Sequence, residues 1–135
     1  MANWMLPTLG YILLLGVAGV TSKLALRTIS WEQLVLWVPV VYIGFAVVFV
    51  AARGARFPLG AGGAWAAATA FCAAASLILL FVALTKGDAS RVVPAGSAYP
   101  VVTVIGSALF LSESITLLRV AGTALVVAGV VLLSR

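Results

Sequence analysis

Few residues in this chain can hold a charge, and fewer still sit inside an apolar run. Of its 135 residues eight are basic, three are acidic and none is histidine. The acids, Glu32, Asp88 and Glu113, fall in the connections between apolar stretches. Histidine, the usual side chain that titrates near neutral pH, is missing. Lys23, in "GVTSKLAL", is the cation set deepest in an apolar run. A buried ammonium is expensive and marks a functional site; near a helix end, its stem instead carries the charge out to the headgroups. Both readings stand on sequence. The other chemical feature is "SAYPVVTVIGSALF", which sets Tyr99 beside Pro100, with Pro94 six residues earlier. Proline lacks an N–H and clashes with the carbonyl four residues back, so the pair should interrupt a helix. Ser97, Thr103 and Ser107 bring hydroxyls to the same segment, where they can re-satisfy the backbone groups that the prolines free. Cys72, in "TAFCAAAS", has no second cysteine to pair with and reads as a small packing residue.

The elements that must position these groups are membrane helices. Hydrophobic residues make up 64% of the chain and charged ones 8%, against about 45–50% and about 25% in soluble domains. A net charge of +5 carried by so few groups is no nucleic-acid footprint; basic residues flanking apolar runs set membrane topology instead. Crossing the hydrocarbon takes about 20 apolar residues, and five such runs are expected, over roughly 6–26, 34–52, 64–84, 91–111 and 116–133. Backbone donors must be satisfied in lipid, so the spans are helices. The first run lacks the basic n-region of a leader peptide and reads as a membrane helix. The connections, "RTISWEQ", "RGARFPLGAGG", "TKGDAS" and "SESI", leave no room for a soluble domain, so residues 1–135 read as one transmembrane domain. Trp4, Trp31 and Trp65 fall near span ends, as interfacial anchors do. Trp37, one turn inside the second span, has in addition a claim to line a cavity. Gly16 and Gly19 give the first span a small face, and Gly122, Ala128 and Gly129 the fifth, where Gly122 and Gly129, with Leu125 and Val126 between them, form a packing seam.

These residues resemble the drug/metabolite transporter superfamily, and within it a single-domain five-helix EamA-type protein. The C-terminal half carries the specific likeness. "LTKGDAS" is similar to the family's short turn, "RVVPAGSAYPVVTVIGSALFL" to its proline-bearing helix, and "SESITLLRVAGTALVVAGVVLLS" to its last helix. "LLLGVAGVTSKLAL" is similar to the first helix, where glycines precede a lysine. The resemblance implies an all-α five-helix bundle, half of a ten-helix fold. It implies a transporter in the cell (plasma or inner) membrane, in contact with lipid and with a small-molecule substrate. No enzymatic activity, cofactor, metal or nucleic acid is expected. Secondary transporters place substrate contacts where helices break near the midplane. The expected substrate path is therefore Gly16, Gly19, Lys23, Trp37, Pro94, Ser97, Tyr99, Pro100 and Thr103. The competing reading is a fixed kink that only shapes packing.

The fifth span, "GTALVVAGV", also resembles the dimer helix of the small multidrug resistance proteins, four-helix relatives that exchange protons for cations at a glutamate in the first helix. Counted back from the matching lysine, that place is Leu15 or Gly16, so proton-coupled cation export is disfavoured. Glu113 is expected to cap the fifth span, because an acid complements a helix N-terminus. Lys23, Arg27, Lys86, Arg91 and Arg135 fall on one side and Arg53, Arg56 and Arg119 on the other. So small a bias permits insertion both ways, and hence an antiparallel homodimer with Gly122, Leu125 and Gly129 as its seam. A multidrug-type exporter and a non-transporting assembly subunit are the alternatives.

Overall fold

A computed structural model describes residues 4–133, which form six helical segments: α1 (Met5–Ala25), α2 (Trp31–Arg53), α3 (Ala61–Lys86), α4 (Ala89–Gly96), α5 (Pro100–Phe110) and α6 (Leu117–Leu133). Segments α4 and α5 divide one apolar span of 22 residues, so the described residues hold five spans and no strand. Four are long enough to cross a membrane, and α6, at 17 residues, sits at the lower limit. Arg135, counted above for orientation, lies outside the described residues. The chain falls into two compact units, the first ending at Lys86 and the second starting at Gly87.

In the first unit, α1 and α2 each contact α3. Helix α2 starts at Trp31, three residues before the expected boundary, because Ser30 and Gln33 make a capping box. The Ser30 hydroxyl accepts from the Gln33 N–H, and the Gln33 side chain accepts from the Ser30 N–H at 3.0 Å. That pairing satisfies two donors that the helix start would leave open. Glycine governs the α2–α3 connection. Gly54 ends α2 with φ 60°, a left-handed conformation that a Cβ disfavours. At Gly63 a Cβ would lie 2.6 Å from the Pro58 carbonyl oxygen, so the connection folds closely over the first turn of α3. The expected glycine-rich turn therefore runs into the helix, and α3 begins at Ala61 instead of residue 64.

Only Gly19, Phe81 and Leu84 are buried among the described residues, and of the two large side chains only Leu84 is fully so. Cys72, expected as a packing residue, is exposed on α3. Its apolar neighbours do not imply burial, because lipid is as apolar as a protein core. Hydroxyls within the spans turn to their own backbones. Thr21 donates to Val17 O, Thr69 to Trp65 O and Thr123 to Arg119 O. In lipid this is the nearest partner available.

In the second unit α4 contacts α6. The cap of α6 is Thr116, whose hydroxyl accepts from the Arg119 N–H at 3.4 Å. That corrects the cap expected of Glu113. Glu113 lies three residues too early for its side chain to be the cap, and its own N–H reaches back to the Ser107 carbonyl. Threonine immediately before an apolar run is a helix-start signal that names the right residue.

Candidate functional site

The break in the fourth span falls at Ser97–Tyr99 and is built by the two prolines together. Pro94 lies inside α4 and cannot donate to Ser90 O. Pro100 opens α5 at the first helical position, where a missing N–H costs nothing. Between them the backbone tightens into three successive i to i−3 bonds. Ser97 donates to Pro94 O at 2.9 Å, Ala98 to Ala95 O at 3.2 Å and Tyr99 to Gly96 O at 3.3 Å. A tightened turn of this kind occupies carbonyls that an interrupted α-helix would leave open. Downstream, Tyr99 O accepts both the N–H and the hydroxyl of Thr103, at 3.1 and 3.4 Å, and Ser107 donates to Val104 O. Ser97 and Tyr99 are exposed at the break. Pro94, Ser97, Tyr99, Pro100 and Thr103 thus lie within about two and a half turns of one span.

In the first unit Gly16, Gly19 and Lys23 share a face of α1, by their spacing of three and four. Gly19 is buried, whereas a Cβ at Gly16 would meet nothing within 4 Å. The Lys23 ammonium donates to the carbonyl oxygen of Leu84 at 2.7 Å, a contact spanning 61 residues of chain. Leu84 belongs to the last turn of α3, whose carbonyls have no partner further along the helix. Lys23 also occupies the last turn of α1. With α2 returning between them, α1 and α3 run the same way, so one ammonium faces the negative ends of two helix dipoles. No sequence signal marks that carbonyl, because every residue carries one. Trp37, on α2, is 64% exposed and faces outward from its unit. Two residues on from it, Pro39 interrupts the bonding of α2 and deprives Val35 O of its usual donor. The proline in "LWVPVVY" was its readable sign.

On α6, a Cβ at Gly122 or Gly129 would meet nothing within 4 Å, and Leu125 is 73% exposed. The small-residue face is therefore uncovered. The acids stand at helix ends: Glu32 in the first turn of α2, Asp88 as the residue preceding α4, and Glu113 between α5 and α6.

A family model for EamA-like transporters matches residues 2–135. The chain belongs to the EamA-like transporter family. It is a multi-pass membrane protein of the drug/metabolite transporter superfamily, and that family consists of transporters and not of enzymes. It is also similar to an uncharacterized protein of Methanocaldococcus jannaschii, 49% identical over 57 residues, a stretch covering 42% of each chain. No solved structure matches it. Membership gives the interrupted span and the uncovered glycine face of this EamA-like chain a functional context, although neither feature depends on it.

Proposed function

We propose that this EamA-like protein carries a small metabolite across the plasma (inner) membrane by alternating access, with residues 1–135 working as one transporter domain. The observation that carries the reading is the broken fourth span. An apolar membrane helix stops for three residues, exposes Ser97 and Tyr99 there, and resumes at Pro100. Interruptions of this kind supply backbone and hydroxyl contacts for a substrate. The residues of the second unit that would meet substrate are Pro94, Ser97, Tyr99, Pro100 and Thr103; from the sequence, Gly16, Gly19, Lys23 and Trp37 are the candidates in the first. Two copies assemble antiparallel through Gly122, Leu125 and Gly129. The uncovered state of that face supports the seam, and the small excess of basic residues on one side, five against three, supports insertion both ways. Because the acids stand at helix ends, the substrate is neutral, zwitterionic or anionic in preference to an organic cation.

Flux of a metabolite panel into liposomes holding the purified chain tests this. Tyr99→Ala removes one hydroxyl contact of ~1 kcal/mol and should slow transport roughly fivefold. Pro100→Ala removes the proline ring that separates α4 from α5, should let the span run straighter and should slow transport too. Normal flux in both variants makes the break a packing feature. Proton-driven cation uptake would reveal a multidrug-type exporter, and no flux of any solute would leave an assembly subunit.

A further inference from the structure

We propose that the groove between α5 and α6 holds one acyl chain of an anionic phospholipid, with the lipid phosphate on Arg119. The groove is an open cleft of about 610 Å³, walled by Val101, Val104 and Ile105 on one side and Val120, Ala124 and Ala128 on the other. Thr123 is the one polar residue in its lining, and its hydroxyl is turned back to Arg119 O. A polar solute would leave its groups unpaired there, which is costly. From Val120 to Ala128 the wall runs for about 12 Å, so the cleft accepts a length of hydrocarbon chain.

A cation neighbours one end of this apolar cleft in the chain. Arg119 precedes the lining residue Val120 and stands one turn before Thr123. Its guanidinium donates from Nη1 to Ser114 O at 3.0 Å, and Ser114 adjoins Ile115, which also lines the groove. That bond ties the cation to the residue before Ile115 and leaves other N–H donors of the guanidinium for a phosphate. The first turn of α6 carries no acid and its N-terminus is a positive dipole end; Glu113, next to Ser114 in the loop before it, is the nearest acid in the chain. Arg119 is also the third residue of a helix short for a bilayer, and so stands at headgroup depth. A second copy of the chain is the poorer occupant. At 100° per residue, Gly122, Leu125 and Gly129 fall on the side of α6 opposite Val120, Ala124 and Ala128, so the dimer seam leaves the groove open to lipid.

Native mass spectrometry of the full chain, released from detergent with phosphatidylglycerol or phosphatidylcholine of the same acyl chains, is the test. The wild type should retain one phosphatidylglycerol roughly tenfold more strongly than phosphatidylcholine. Arg119→Gln should abolish that preference, with helix content unchanged by circular dichroism. Ala124→Phe fills the cleft and should release both lipids; if it fails to insert, Val104→Phe brings the same bulk from the other wall. Equal retention of the two lipids by the wild type would overturn the proposal, as would phosphatidylglycerol retained by the filled variants. A dimer that Ala124→Phe splits into monomers would also overturn it, because the occupant is then a second copy.

Discussion

Replacing Lys23 with methionine keeps the side-chain stem and deletes the ammonium that bridges α1 to the last turn of α3. The hydrogen bond at stake is short, half-buried and charged on the donor side, and bonds of this type contribute about 1.5–3 kcal/mol. The same charge faces two helix C-termini, a further ~0.3–1 kcal/mol. The two effects overlap, since the Leu84 carbonyl is itself part of the α3 dipole, so the expected loss is roughly 2–3 kcal/mol. Unfolding of the purified protein by SDS in mixed micelles measures it, alongside helix content and solute flux. Lys23→Arg should recover more than half of the loss, because a guanidinium also donates to a carbonyl but with a different fork. Stability within about 0.5 kcal/mol of wild type in Lys23→Met would refute the reasoning, since a surface change costs no more than that. If stability holds while flux is lost, Lys23 serves the substrate and not the helix end.

Three other outcomes follow from the fold. Ser30→Ala should cost ~1 kcal/mol by opening the capping box of α2, and Thr should restore it, both read by the same SDS titration. Gly63→Ala forces a Cβ to within 2.6 Å of the Pro58 carbonyl, and should destabilise by about 1–3 kcal/mol; Gly62→Ala, with open space around it, should be nearly neutral. Gly122→Leu combined with Gly129→Leu should convert dimers to monomers in cross-linking while the five spans stay inserted; persistence of the dimer would move the seam elsewhere. Cysteine labelling of both termini on intact cells then reports whether insertion is one-way or dual.

Membrane spans are the part of this protein that residue order dictates. Hydrocarbon admits only apolar side chains and self-satisfied backbones, so each helix is written in a local run of residues. The same holds for the break at Ser97–Tyr99, because proline acts through covalent geometry within four residues of itself. Short-range capping was equally legible in principle. Ser30 and Gln33 carry the capping-box spacing and Thr116 the N-cap signal, although Glu113 looked the stronger candidate by charge. Packing inside the membrane was not legible. Outside a membrane, apolar residues cluster away from water; within one, an apolar side chain is equally at home against lipid or protein. Hence Cys72 is exposed despite its apolar neighbours, and only the fold distinguishes the groove face of α6 from its glycine face. Tertiary structure also decided what Lys23 does. Its position on α1 was fixed by the chain, but its partner is a backbone carbonyl 61 residues away. A carbonyl carries no side-chain signature, so only the docking of α3 beside α1 could bring that oxygen to the ammonium.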